Sequence, residues 1–100
     1  GGVKTIQLRR YTLVEGEYDA FLDWWREWMP RVRPARGFAI EFAYGVPETN
    51  EFVWAVSAPG DRDAFRALEE EYLVSPERTE AFAGQPQRIT ASVVSFVDEL

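Results

Sequence analysis

The chain has 100 residues, with 11 Lys and Arg against 17 Asp and Glu, a formal net charge of −6, and neither His nor Cys. These absences exclude Ser-His-Asp and Cys-His nucleophile systems, thiolate zinc sites, haem held by a proximal His, and disulfides. The acidic balance disfavours nucleic acid and anionic membrane surfaces as partners, and we expect no metal and no cofactor.

The length suits one domain with one hydrophobic core. No stretch approaches the roughly 18 apolar residues of a membrane-spanning helix, and the N-terminus lacks the charged-then-apolar pattern of a signal peptide. We therefore expect a cytoplasmic protein. Gly1 and Gly2, with no initiator Met, look like the remnant of an expression tag, so the predicted single domain covers residues 3–100.

The first predicted element is a strand. Ile6 and Leu8 point to one side, and the residues that alternate with them point to the other: Gln7, Arg9, Tyr11 and Leu13. This period of two is typical of a strand with two different faces. Residues 14–17 supply the turn that follows.

A helical pattern begins at residue 18. Its buried stripe is predicted to consist of Tyr18, Phe21, Leu22, Trp25, Met29 and Val32. Pro30 predicts a kink or break near Trp28 and Met29, and Pro34 and Gly37 are expected to end the helix. Arg31, Arg33 and Arg36 form a basic cluster here, which we attribute to the helix dipole in preference to phosphate recognition.

A hairpin is predicted next, because residues 38–44 and 51–58 alternate and residues 45–50 favour a turn. The first strand is expected to place four large apolar side chains on one face: Phe38, Ile40, Phe42 and Tyr44. Glu41 would then lie on the opposite face. In the second strand, Trp54 alternates with smaller residues.

The second half predicts two helices and a last strand. Asp61 is a suitable cap for a helix whose apolar positions are Ala64, Phe65, Leu68 and Tyr72. Ser75 and Pro76 predict the start of a short helix that runs to Phe82. Glu69, in a run of three Glu, is expected on a solvated face. Residues 88–97 are rich in β-branched side chains and predict a strand.

This order, β-α-β-β-α-(α)-β, is typical of the α+β ferredoxin-like fold, a four-stranded antiparallel sheet with helices on one face. Several strands are apolar on both faces, which indicates burial on both. We therefore expect a second copy of the chain to cover the open sheet face, giving a homodimeric α+β barrel. Such an interface would also account for the 15% aromatic content.

The sequence resembles the NIPSNAP family over nearly its whole length. The matching segments are residues 6–16, 21–26, 48–54, 75–77 and 82–86. The resemblance implies a dimeric α+β barrel, whose wider relatives include cofactor-independent monooxygenases of antibiotic biosynthesis, haem-degrading monooxygenases and lactone isomerases. It also implies a central cavity. Haem degradation is disfavoured here, because the chain has no His to ligate the iron.

Five residues are candidates for that cavity if the open sheet face lines it. Gln7, Arg9 and Tyr11 share a face of the first strand, where Arg9 would bind an anionic or carbonyl oxygen and Tyr11 would transfer a proton. Alternatively, Tyr11 only packs, and Arg9 forms a buried ion pair with Glu41. An unpaired Glu41 would have a raised pKa and suit a general base. Trp54 is either a wall for a flat ligand or a core residue.

Two functions are compatible with the sequence. The protein either binds a small hydrophobic or aromatic compound, with or without cofactor-independent monooxygenase or isomerase chemistry, or is a non-catalytic dimerisation or partner-binding module. A cavity of about 300 Å³ or more that Arg9 enters would favour the first. A seam filled by side chains would favour the second.

Overall fold

The computed structural model describes residues 3–100, so the predicted tag remnant, Gly1 and Gly2, lies outside the described residues. The elements follow the predicted order: β1 (Lys4–Leu13), α1 (Tyr18–Ala35), β2 (Ala39–Val46), β3 (Glu51–Pro59), α2 (Arg62–Leu73), α3 (Pro76–Phe82) and β4 (Ile89–Val97). A 3-10 turn, Pro47–Thr49, joins β2 to β3. Among these helices, none is both long and apolar enough to cross a membrane.

The four strands form one antiparallel sheet in the order β2-β3-β1-β4. This confirms the predicted α+β ferredoxin-like topology. Residues directly opposite each other on neighbouring strands share a face. Arg9 lies opposite Trp54 of β3 and Val94 of β4, and these residues belong to the face that the helices cover, here called the helix face. The other side is called the open face.

Helix α1 is continuous through Pro30 and Pro34, so the predicted break is wrong. A proline inside a helix removes one backbone hydrogen bond, but tertiary packing of an apolar stripe usually supplies most of a helix's stability. The stripe of α1 is buried as predicted, through Phe21, Trp25, Met29 and Val32. Its packing against the sheet keeps the helix intact.

The caps of α2 and α3 are those that the sequence predicts. Asp61 Oδ1 accepts a hydrogen bond from the Ala64 amide at 2.9 Å, and Ser75 Oγ accepts one from the Arg78 amide at 3.3 Å. Helix α2 packs on the helix face, and α3 packs against α1, where Phe82 contacts Trp24. Phe65 of α2 contacts Phe38 and Phe96, and Tyr72 contacts Phe38, so the core lies between the helices and the sheet.

Strand β2 contains a bulge between Ile40 and Phe42. An extra residue in one strand reverses the faces of the side chains that follow it. Phe38 therefore packs against α2, whereas Phe42 and Tyr44 lie on the open face, stacked with ring centres 5.4 Å apart. The prediction that all four large side chains share one face is wrong, because a period-two pattern does not reveal a bulge.

The open face carries apolar side chains from all four strands. They are Ile6 and Leu8 of β1, Phe42 and Tyr44 of β2, Val53 of β3, and Val93 and Val97 of β4. Tyr44 is 63% exposed and Val93 is 65% exposed. None of the described helices packs against this face, so its apolar surface is uncovered within one chain.

Candidate functional site

A cavity of about 130 Å³ lies between the sheet and the helices. Its walls come from β1, β3 and all three helices, and residues 85–89 complete them. Seven aromatic side chains line it: Tyr11, Phe21, Trp24, Trp25, Trp54, Tyr72 and Phe82. The cavity is therefore a largely aromatic space within a single chain.

Three of the residues singled out from the sequence, Arg9, Tyr11 and Trp54, come together in this cavity. They lie on the helix face, so the expectation that they point into an open sheet face is wrong. The reason is that Tyr11 and Trp54 pack against the aromatic stripe of α1, through Phe21 and Trp25 respectively. Gln7 is beside them on the same face of β1.

Arg9 is held by its neighbours on β1. Its Nε donates to Tyr11 Oη at 2.6 Å and its Nη1 donates to Gln7 Oε1 at 2.7 Å. The guanidinium carbon lies 5.7 Å from the centre of the Trp54 ring. Within residues 3–100, Arg9 makes no ion pair with a carboxylate, so the predicted pairing with Glu41 is wrong and the charge stays uncompensated.

Glu41 lies away from the cavity, at the bulge of β2. Its carboxylate accepts a hydrogen bond from Ser57 Oγ at 2.6 Å and pairs with Lys4 Nζ at 3.2 Å. The bond from Ser57 and the cation of Lys4 lower the pKa of Glu41 below its ordinary value. Glu41 is thus a paired, ionised carboxylate, and it lacks the raised pKa that a general base would need.

The buried ion pair of the site, Arg33 with Glu69, was not predicted from the sequence. Arg33 Nη1 donates to Glu69 Oε2 at 2.8 Å, and the Arg33 side chain is only 3% exposed. Its guanidinium also lies 4.0 Å from the centre of the Tyr72 ring. Glu69 is therefore not on a solvated face as expected. Arg33 continues the buried i+4 series that runs from Phe21 through Trp25 and Met29, which is the signal that could have identified it.

The basic cluster of α1 is not an open phosphate site. Arg33 is paired with Glu69, and Arg36 Nη1 lies 3.4 Å from Glu77 Oε1. Arg31 packs its guanidinium over the Trp28 ring at 4.9 Å. These contacts give the three arginines structural partners that the helix dipole alone did not predict, and they leave the expected contribution of the dipole untested.

The walls of the cavity carry four guanidinium groups, from Arg9, Arg33, Arg78 and Arg88, against one carboxylate, from Glu69. Arg78 packs 4.3 Å from the centre of the Phe82 ring and, in the part of the chain that the structure describes, forms no ion pair. Arg88 Nε lies 3.7 Å from Glu17 Oε1. In a chain of net charge −6, the cavity is a local concentration of positive charge.

Hydrogen-bond donors without partners are also concentrated there. Trp25 Nε1, Trp54 Nε1, Arg33 Nε and Arg88 Nε are buried and have no hydrogen-bond partner among the described residues. Tyr72 is buried too, which raises the pKa of its hydroxyl and keeps it protonated at neutral pH.

Residues 3–100 contain no group of three or more acidic side chains that could hold a metal ion.

No protein-family model and no curated protein matches this sequence. Solved structures do. A NIPSNAP family protein from Agrobacterium tumefaciens is similar with a TM-score of 0.82 at 11% identity, over 98% of this chain and 94% of that chain. An uncharacterised NIPSNAP domain protein from Burkholderia xenovorans is similar with a TM-score of 0.78 at 16% identity, over 96% and 94% of the two chains.

A candidate antibiotic biosynthesis monooxygenase from Chloroflexus aurantiacus is also similar, with a TM-score of 0.58 at 12% identity over 97% of this chain and 95% of that chain. Identities this low show a shared fold and no more. The fold that the sequence resemblance implies is confirmed by several NIPSNAP structures. The chain has the ferredoxin-like α+β fold of the NIPSNAP domain proteins.

Proposed function

We propose that this protein binds a small hydrophobic or aromatic compound in the cavity between its sheet and its helices. The observation that carries the proposal is the lining of seven aromatic side chains around an uncompensated Arg9. An apolar cavity of about 150 Å³ can hold a benzene molecule. The cavity of about 130 Å³ is smaller than the roughly 300 Å³ at which pockets for drug-sized ligands begin, so it suits a compound of about one ring.

Cofactor-independent monooxygenase or isomerase chemistry is the extension of this proposal. Tyr11 supports it, because Tyr11 Oη accepts from Arg9 and keeps its own proton for a bound compound. The fold that the chain shares with a candidate monooxygenase supports it as well. Proton transfer would rest on Tyr11, since Glu41 lies elsewhere and Glu69 is engaged by Arg33.

The binding proposal can be tested at the edge of the cavity, where Leu73 lines it and is 49% exposed. Leu73→Trp places a bulky side chain there, whereas Val74→Trp adds the same group at a position that is 82% exposed and does not line the cavity. Saturation-transfer NMR with phenol measures binding. We expect a signal with the unmodified protein and with Val74→Trp, and its loss with Leu73→Trp.

No signal with the unmodified protein would overturn the proposal, as would an undiminished signal with Leu73→Trp. Native mass spectrometry of freshly purified protein provides an independent check. A retained small molecule that Leu73→Trp fails to retain would support the proposal, and its chemical formula would identify the compound.

We also propose that a second copy of the chain covers the open face. All four strands place apolar side chains on this face, and those of Tyr44, Val93 and Val97 are exposed. This supports the proposal, because monomers rarely leave a large apolar surface uncovered. A non-catalytic dimerisation or partner-binding module needs only this face. Binding in the cavity does not compete with it, because the cavity lies on the other side of the sheet.

A further inference from the structure

We propose that the compound bound in the cavity carries an anionic oxygen group on its ring, a carboxylate or an ionised hydroxyl. The inference rests on the proposed function, because it names the class of compound that the same cavity would take. Two observations on the cavity lining carry it independently of its aromatic character. One is charge, and the other is the set of unused hydrogen-bond donors.

Arg9 and Arg78 carry the uncompensated charges of the cavity. Each lines the cavity, and across the described residues neither has a carboxylate partner, whereas Arg33 and Arg88 have Glu69 and Glu17. A partly buried guanidinium has lost some of its hydration and is stabilised by an anion placed against it. An anionic compound would supply that partner, and a neutral hydrocarbon would not.

Several cavity-lining side chains carry buried polar atoms without hydrogen-bond partners. Each such atom on a cavity-lining side chain described by the structure is an N–H donor, on Trp25, Arg33, Trp54 and Arg88. Buried polar groups are usually hydrogen-bonded, so unpaired ones need an explanation. A cavity with spare donors is complementary to a compound that brings acceptors, and an anionic oxygen is the strongest acceptor.

Arg9 and Tyr11 are the residues that we assign to the anionic group. Gln7 and Tyr11 accept bonds from Nη1 and Nε of Arg9, which leaves the Nη2 group of Arg9 and the hydroxyl proton of Tyr11 without acceptors among residues 3–100. Gln7 acts as a positioning residue for the guanidinium. The Trp54 ring beside Arg9 provides an apolar surface for the ring of the compound.

Benzoate and benzamide test the inference, because they share a ring and a planar head group and differ in charge. Isothermal titration calorimetry at pH 7 and low salt measures both affinities. Since a hydrogen bond to a charged group is worth more than a neutral one, we expect benzoate to bind roughly 10- to 100-fold more tightly. Arg9→Gln should remove this preference, so that benzoate and benzamide bind with affinities within about twofold of each other.

Arg10→Gln is the matched control. It removes the same charge from the next residue, which lies on the open face and pairs with Glu51 at 2.9 Å. We expect it to keep the preference for benzoate. If Arg9→Gln fails to fold by circular dichroism, Arg78→Gln tests the second uncompensated charge, and we expect it to reduce the preference.

The outcomes separate the two proposals. Equal binding of benzoate and benzamide would overturn the anionic class and leave aromatic binding intact. A preference for benzoate that survives both Arg9→Gln and Arg78→Gln would overturn the assignment to this cavity. Failure of benzoate, benzamide and phenol alike to bind would overturn the proposed function itself.

Discussion

The most deeply buried charge in this fold belongs to Arg33, and it joins two helices. Arg33 comes from the last turn of α1, and its partner Glu69 comes from α2. Aromatic rings surround the guanidinium, with Tyr72 at 4.0 Å and Phe38 at 4.7 Å from ring centre to guanidinium carbon. The pair thus fixes the position of α1 relative to α2 at one wall of the cavity.

Glu69→Gln is expected to lower the free energy of unfolding by about 3 kcal/mol, because it leaves a buried guanidinium without its anion. Urea denaturation measures the loss. Glu71→Gln, two residues along on the exposed side of α2, is the control and should change the value by no more than about 0.5 kcal/mol. Equal effects of the two substitutions would contradict the role assigned to Glu69.

Among the properties of single residues, ion-pair partners were the hardest to predict from the sequence. Arg33 and Glu69 are 36 positions apart, so no local spacing connects them. The period of two on β1 identified Arg9 and Tyr11 as candidates. It did not show which face of the sheet they occupy. Both faces of that strand carry large apolar side chains, and only the aromatic stripe of α1 decides which face the helices cover.

Helix α1 illustrates how tertiary contacts override a local rule at the scale of an element. Its stripe lies against Tyr11, Phe52 and Trp54 of the sheet. Pro30 is exposed and lies between the buried residues Met29 and Val32. The helix therefore tolerates a proline whose missing N–H leaves the Arg26 carbonyl without its usual donor.

Pro30→Ala is expected to raise the free energy of unfolding by roughly 2 kcal/mol, because it restores that hydrogen bond. The substitution also increases the conformational entropy of the unfolded chain, but this opposing effect is smaller. Pro76→Ala is the matched change. Pro76 occupies the first turn of α3, where its missing donor costs nothing, so we expect no gain. Urea unfolding of both variants provides the comparison, and a stabilisation by Pro76→Ala alone would contradict this account.

Element order and caps were largely predictable from the sequence, because periodicity and the residues Asp61 and Ser75 are local signals. The bulge of β2 was not. In the sequence, Glu41 looks like a single polar residue in an alternating strand. In the structure, Glu41 lies where β2 holds an extra residue, and its carboxylate bonds to Ser57 and Lys4. These partners lie on other strands, so a single strand does not reveal the bulge.

At the scale of the whole molecule, the proposed dimer depends on the open face. Val93→Glu places a charge on that surface, on the edge strand β4. Arg10 lies opposite Val93 but already pairs with Glu51, so a carboxylate buried here lacks a free cation and we expect the variant to be monomeric. Light scattering after size exclusion should give about twice the mass of one chain for the unmodified protein at micromolar concentration.

Val74→Glu is the control for the dimer. Val74 is the more exposed of the two valines and lies just after α2, away from the sheet, so its replacement should leave the mass unchanged. A monomeric unmodified protein would contradict the proposed dimer. So would a Val93→Glu variant that keeps the dimer mass.

The bulge in β2 has a further consequence for how copies of this chain can meet. β2 is an edge strand of the sheet, and a regular edge offers a row of free amides and carbonyls on which another strand can add, copy after copy. The bulge at Glu41 interrupts that row and increases the local twist. Strand addition at this edge is thereby disfavoured, and the proposed contact through the open face does not use it.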